Sequence, residues 1–354
     1  AWSGSMGQFF SDYFWPPSRP DDDFQDYDSF LAQHANFARA LIAYRKAPEA
    51  MDMNQFRIVG LIGEGGFAKV LAVKRANGRT TYAMKRISKI ACPPHRRGTF
   101  VELARKEKSI LYGLNAWDFI VKLHWHCVDN RYVCFVLSFA RRGDASSMFR
   151  DPRPLEKHLP FYLAQVVMAL EFVHGARVVH CDLKLENILV GHDGYLMLTD
   201  FGLSGIIDDP ATGGTPAYMS PEMLTKKALE PCMDWWSLGV IAFELYCYKR
   251  PYMGTSYSRI LRSIQETDLT FPRSVSQARV VKDFIKKLLC KHTNERLGSG
   301  TEGEVRRHEI FCNIDFESLY KKKYEVPFFP AMASIARYHE DEPPYPEYDP
   351  IPDF

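Results

Sequence analysis

The segment at 180–202, HCDLKLENILVGHDGYLMLTDFG, constrains this chain more than any other stretch. In it Asp182, Lys184, Asn187 and Asp200 stand around two short apolar runs, Ile188-Leu189-Val190 and Tyr195-Leu196-Met197-Leu198. His-Asp-Gly between the runs supplies a tight turn, so the pattern predicts two antiparallel strands. Such a hairpin brings the loop from Asp182 to Asn187 beside the exit of the second strand, where Asp200-Phe201-Gly202 follows. Asn187 and Asp200 then offer oxygen to one hard cation such as Mg²⁺, which takes few protein groups and leaves its other positions to phosphate or water. The bland alternative is an Asp-rich hairpin with a solvated rim. Partner groups elsewhere in the chain decide between the two.

Those partners are present. Residues 56–90 switch to strand chemistry: IVGLIGEGGFAKVLAV is a strand, a glycine turn and a second strand, and TTYAMKRI is a third. A dinucleotide-binding glycine loop opens a helix, whereas here Lys69-Val70-Leu71-Ala72-Val73 continues as a strand after Gly63, Gly65 and Gly66. A helix is expected over 99–114, carrying Glu102 and Glu107, then two apolar strands over 119–140 and a long helix over 155–177. Further upstream, Phe30, Leu31, Phe37, Leu41 and Ile42 recur at helical spacing between Asp28 and Lys46, and Pro48 ends that helix.

Composition excludes several classes. With 46% hydrophobic and 25% charged residues in 354, the chain has the make-up of a globular protein with a sizeable core. A net charge of +2 gives no case for nucleic-acid binding, and the acidic and basic runs are local. Eight cysteines without a CxxC pair point to a reducing compartment. No apolar run approaches the ~20 residues of a membrane span, and no secretory signal is visible. Residues 1–5 (AWSGS) read as an expression leader. Behind them Met6-Gly7-Gln8-Phe9-Phe10-Ser11 fits the N-myristoylation pattern, with Gly7 as acceptor once Met6 is removed.

Taken together, the 180–202 segment and its partners resemble the protein-kinase signature H-R-D-L-x-x-x-N followed by D-F-G. The resemblance implies an α+β, two-lobed fold, with a small antiparallel β-sheet N-lobe carrying the αC helix and a larger, mainly helical C-lobe. It implies ATP and Mg²⁺ as cofactors. Asp182 would then orient the acceptor hydroxyl, Lys184 would neutralise charge on the moving phosphoryl group, and Asn187 and Asp200 would hold the metal. Lys85 would hold the α- and β-phosphates, braced by Glu107, whose Glu-Lys-x-Ile-Leu context matches the family better than Glu102 does. The nucleotide would lie under Ile62, Gly63, Glu64, Gly65, Gly66, Phe67, Ala68 and Val70, with Ala68 where relatives have a third glycine. Ala83, Leu137, Ser138, Ala140, Asp144 and Leu189 would complete its pocket, the hinge binding adenine through its backbone.

Beyond the kinase motifs, DFESLYKKKYEVPFFP is similar to the start of an AGC-group tail, and both flanks are similar to those of the cAMP-dependent protein kinase catalytic subunit. The resulting divisions are 1–5, a leader; 6–55, an extension with an amphipathic helix; 56–140, the small lobe and hinge; 141–312, the large lobe; and 313–354, a tail that returns to the small lobe and docks Phe354. Glu222 is expected to pair with Arg296, and Asp234 to brace the catalytic loop. Lys184 with Gly214-Thr215-Pro216 implies serine or threonine as acceptor, Thr215 linking Asp182 to Lys184. Asp144, Glu186 and Glu244 match carboxylates that receive substrate arginines, and carboxylates in a groove favour Arg over Lys. Pro216 and Met219 would form an apolar pocket for the residue after the acceptor.

The departures from the pattern are concerted. Cys181 stands where most relatives have the Arg that pairs with a phosphothreonine. The phosphothreonine position is Ala211, and the other two partners of that phosphate are Gly205 and Leu103. The expectation is an activation segment held without phosphorylation, by packing alone, with Thr212 and Thr215 as the remaining acceptors. An ATP-binding pseudokinase is the alternative that these departures raise. A kinase of small molecules is the other, against which the peptide platform from Thr215 to Glu222 argues. A regulatory subunit responsive to cyclic nucleotide, a pseudosubstrate inhibitor, and reversible membrane association through an acylated Gly7 follow from the resemblance as candidate partners, in the cytoplasm.

Overall fold

Between Phe56 and Ser138 the chain is rich in β-branched and aromatic residues, and five strands result: β1 (Phe56–Glu64), β2 (Ala68–Arg75), β3 (Thr81–Ser88), β4 (Leu123–Val128) and β5 (Tyr132–Ser138). They form one antiparallel sheet in the order β1-β2-β3-β5-β4. β5 shows the period of two that a strand imposes. Val133, Phe135 and Leu137 join the main core, while Tyr132, Cys134 and Val136 join a second cluster with Leu71, Val73, Met84 and Cys127. Both faces of β5 are therefore covered.

The computed structural model describes residues 27–43, 48, 50–65, 68–89, 97–129, 131–150, 155–211, 213–273, 278–327 and 335–337. The expectations for Gly7, Gly66, Phe67, Thr212 and the docking of Phe354 fall outside the described residues.

Helix α1 (Tyr27–Ala43) has its buried stripe at Tyr27, Phe30, Leu31, His34, Ala35 and Ala38. Phe37, Leu41 and Ile42, expected in that stripe, are only half-buried. Two glycines let α1 approach its neighbours. A Cβ on Gly113 would meet Ile42 Cγ1 at 2.5 Å, and one on Gly175 would meet the Ala35 Cβ at 2.8 Å. Those glycines end α2 (Arg97–Gly113) and α3 (Leu155–Gly175), so α1 crosses the ends of one helix from each lobe.

The apolar run Phe119-Ile120-Val121 corrects the expectation of a strand from 119. The ladder of β4 begins only at Leu123, and 119–121 instead dock on the hairpin that follows the short strand β6 (Val178–Val179), formed by β7 (Ile188–Val190) and β8 (Leu196–Leu198). Val121 N donates to Leu198 O (2.9 Å) and Leu198 N to Phe119 O (2.9 Å), a direct tie between the lobes. The large lobe is built on α3 and α5 (Cys232–Cys247), separated in sequence by the short α4 (Pro221–Leu224). Every described position of α5 except Glu244 is buried, as befits a helix that is apolar all round. Helices α6 (Tyr257–Glu266) and α7 (Arg279–Leu288) present one apolar face each to this core. Beyond α8 (Phe316–Tyr320), residues 335–337 lie on the edge of β1, where Leu61 and Ala336 exchange both backbone hydrogen bonds (2.9 and 3.0 Å). No helix among the described residues is long and apolar enough to cross a membrane.

Candidate active site

The β7–β8 hairpin places its flanking loops together. Asn187 Nδ2 donates to the Asp182 carbonyl (2.8 Å) and to Asp182 Oδ2 (3.1 Å). Both acceptors face the amide nitrogen, which leaves Asn187 Oδ1 as the oxygen presented elsewhere. Lys184 Nζ donates to Asp182 Oδ2 (2.7 Å) and to Thr215 Oγ1 (2.9 Å). Thr215 in turn donates to Asp182 Oδ1 through its amide (2.8 Å) and its hydroxyl (2.6 Å). Asp182 is thus held by four donors from three residues, in a fixed orientation.

Below this loop, Asp234 at the start of α5 accepts from the amides of His180 (2.8 Å) and Cys181 (3.0 Å) and from His174 Nε2 (2.9 Å). Burial works against the Asp234 charge, yet these bonds and the nearby histidines hold its carboxyl below the usual range. The brace matters because Cys181 takes a left-handed φ of 69°, a conformation that costs a non-glycine residue energy.

Lys85 closes the site from the small lobe. Its register sets it opposite Val70 on β2 and Phe135 on β5, while Ala83 stands opposite Ala72 and Leu137. Residues directly opposite share a face, so Val70, Ala83 and Leu137 line the same face as Lys85. Lys85 Nζ lies 2.5 Å from Glu107 Oε1 and 2.7 Å from Asp200 Oδ1. Glu102, the other candidate, pairs with Arg105 on the surface of α2. Burial disfavours the Lys85 charge, but Glu107 and Asp200 outweigh it and raise its pKa. For Asp200 burial likewise loses to Lys85, and its carboxyl stays below the ordinary value. Asp200 emerges from β8 with φ 62° and its side chain 43% exposed. The donor set of Asn187 and Asp200, two hard oxygens beside a fixed ammonium, fits Mg²⁺ shared with a phosphate. Ile62, Gly63, Glu64 and Gly65 lead off the end of β1, Ala68 opens β2, and Ser138 and Ala140 follow β5. Leu189 on β7 forms a bridge with Asp144.

Against the activation segment, Cys181 of the catalytic loop is buried in an apolar cluster with Val179, Met219, Met223, Leu229, Cys232 and Met233, on which Ala211 packs. Burial pushes its thiol pKa far up, which makes Cys181 an inert core thiol. A Cβ at Gly205 would fall 2.1 Å from Leu229 Cδ1 and displace that methyl, and Leu103 points outward. Packing is joined by an ion pair that the sequence did not announce: Lys106 Nζ on α2 reaches Asp209 Oδ2 on the activation segment at 2.9 Å. Glu222 and Arg296 form a buried pair at 2.5 and 3.1 Å that ties the end of this segment to the large lobe. Removing one partner of such a pair costs about 3–5 kcal/mol.

The acidic candidates differ in state. Glu186 is exposed, and Asp144 Oδ1 caps the following turn through the Ser146 amide (2.9 Å) and hydroxyl. Glu244 is engaged by Tyr218 and Arg250, neither of which sequence reading had singled out. Met219 is buried (4% exposed) in the Cys181 cluster, so the apolar pocket expected from Pro216 and Met219 has only Pro216 at its surface.

Residues 56–311 match the family model of the protein kinase domain. A putative ribosomal protein S6 kinase alpha-1 of Caenorhabditis elegans is 33% identical over 82% of this chain and 38% of its own length. The human ribosomal protein S6 kinase alpha-3 is 33% identical over 81% of this chain and 39% of its own. The RAC-beta serine/threonine-protein kinase of Rattus norvegicus is 32% identical over 91% of this chain and 68% of its own length. The chain therefore spans well under half of the S6 kinase relatives and about two thirds of the RAC-beta relative.

Proposed function

The chain belongs to the protein kinase family and, within it, to the AGC group of serine/threonine kinases, and from that premise we propose that it transfers the γ-phosphate of ATP to serine or threonine preceded by arginine, with no phosphate on its own activation segment. The observation that carries this reading is the joint closure of two networks. Lys85–Glu107–Asp200 joins the small lobe to the large one, and Asp182–Lys184–Thr215 is formed within the large lobe. ATP with Mg²⁺, when bound, supplies the phosphoryl group and the charge that activates it for in-line transfer. Lys85 and Lys184 are cations placed to hold phosphate oxygens. Asp182, fixed by Thr215 and Asn187, is placed to accept the hydroxyl proton. Asn187 Oδ1 and Asp200 would hold the metal.

Independence from a loop phosphate is supported by the Cys181 cluster and the Lys106–Asp209 pair, which occupy the region where a phosphate and its cations would otherwise act. Exposed Glu186 and half-buried Asp144 support arginine preference in the substrate. A cyclic-nucleotide-responsive regulatory subunit, a pseudosubstrate inhibitor and acylation of Gly7 with reversible membrane association extend the same reading.

The test is transfer from ATP to an Arg-Arg-x-Ser peptide by phosphatase-treated protein, with Asp182→Asn as control. Turnover that falls by at least about a hundredfold in the control supports the reading. Absence of turnover with ATP binding retained favours the pseudokinase instead.

A further inference from the structure

Helix α5 ends at Cys247 with Tyr248 in the left-handed region at φ 55°, and the chain reverses there. The reversal carries Arg250 back over Glu244 in the last turn of the helix. Arg250 Nε lies 3.3 Å from Glu244 Oε1, while Tyr218 donates its hydroxyl to Glu244 Oε2 at 2.6 Å. Arg250 Nη2 reaches the Tyr218 oxygen at 3.5 Å, and its guanidinium sits 5.1 Å from the centre of the Tyr218 ring. Both oxygens of Glu244 are thereby engaged. The Glu244 side chain is 15% exposed and that of Arg250 38%, so the carboxylate is the more buried partner and the guanidinium the more solvent-facing one. Burial, then Glu244, and to a smaller degree Glu186 all raise the Tyr218 hydroxyl pKa, which puts both carboxylates in one electrostatic neighbourhood.

A carboxylate braced by a tyrosine hydroxyl and stacked beside an aromatic face is a receptor for a guanidinium. Here the chain supplies that guanidinium itself. We propose that Arg250 is a specificity-determining residue: it fills the Glu244–Tyr218 subsite in place of a substrate arginine, and arginine selection falls to Asp144 and Glu186. The inference deepens the arginine-directed reading and rests on it. Its consequence is an enzyme that reads fewer arginines than its acidic groove would suggest.

The experiment uses a series of serine peptides that differ only in where a single arginine precedes the acceptor, assayed with the full chain, Arg250→Ala and Arg250→Gln. Arg250→Gln keeps the stem over Tyr218 and guards against a folding defect in Arg250→Ala; thermal unfolding and the KM for ATP report on the integrity of both. In the parent protein one arginine position should be nearly silent. In the variants that position should gain about tenfold or more in kcat/KM, carried by the peptide KM, the usual worth of one charge-assisted bond. Glu244→Gln added to Arg250→Ala should abolish the gain. An arginine profile identical in the parent and in folded Arg250 variants overturns the inference. Indifference of the parent to arginine at every position sinks the arginine-directed reading instead, and a preference that then emerges only in the variants would still uphold the role of Arg250.

Discussion

Asp182 has no freedom of its own in this site; its orientation is delegated to Thr215. The threonine hydroxyl donates to Asp182 and accepts from Lys184, so removing it unpins both the proton acceptor and the cation beside it. Thr215→Ala should lower kcat by about tenfold or more while leaving the KM for ATP unchanged, and Thr215→Ser should restore most of the loss. Steady-state kinetics on the three proteins check this, and an unaltered kcat in Thr215→Ala would refute it. The residue types at 182, 184, 187 and 200 were legible in the sequence because their chemistry and spacing are local. The choice of Glu107 over Glu102 came from its context, and the structure puts Glu107 on Lys85 and Glu102 on Arg105. The engagement of Glu244 was not legible, since Tyr218 and Arg250 reach it only through a helix end and a reversal of the chain.

At the level of elements, α2 is tied to the activation segment by Lys106 on Asp209. Lys106 precedes Glu107, so whatever fixes Lys106 also helps to fix the partner of Lys85. Its side chain is 35% exposed and that of Asp209 44%, which limits the pair to the modest worth of a screened surface bridge. Asp209→Asn should therefore reduce kcat/KM by a few fold at low salt, with the difference fading as ionic strength rises. The charge-swapped pair Lys106→Asp with Asp209→Lys should recover the loss. A reduction that persists in high salt would point to the Asp209 bond with the Ile206 amide (3.3 Å) rather than to the ion pair. Helix and strand periodicity foretold most elements, but Phe119-Ile120-Val121 has the composition of a strand and serves as a joint. Its hydrogen bonds go to Leu198 because β4 has no partner for it.

For the whole molecule, the apolar docking of α1 is joined by a partly buried charge cluster. Glu171 on α3 is buried, and Arg306 Nε lies 3.3 Å from it without a well-aligned hydrogen bond, while Arg306 also pairs with Asp28 on α1. Burial is the largest influence on Glu171, only partly offset by Arg306, and its pKa rises to about 7. Between the ordinary carboxylate range and about 7 the folded chain binds the extra proton, so stability falls as pH rises through that window and levels off above it. Thermal unfolding followed from pH 5 to 8 should show this decline, and Glu171→Gln should flatten it. An unchanged pH profile in Glu171→Gln would place the proton elsewhere.

The sequence by itself determined the kinase constellation, the two-lobed division and the coordinated absence of an arginine, a threonine and their partners around the activation segment. These rest on residue types at short spacings, where chain connectivity alone restricts the geometry. Tertiary structure decided what replaced them. The pairing of Lys106 with Asp209, the apolar cluster that Cys181 shares with Leu229 and Met233, and the pairing of Arg250 with Glu244 join side chains brought together by separate elements or by a turn of the chain. No local pattern encodes such pairings, because each depends on how helices and loops pack once the core has formed.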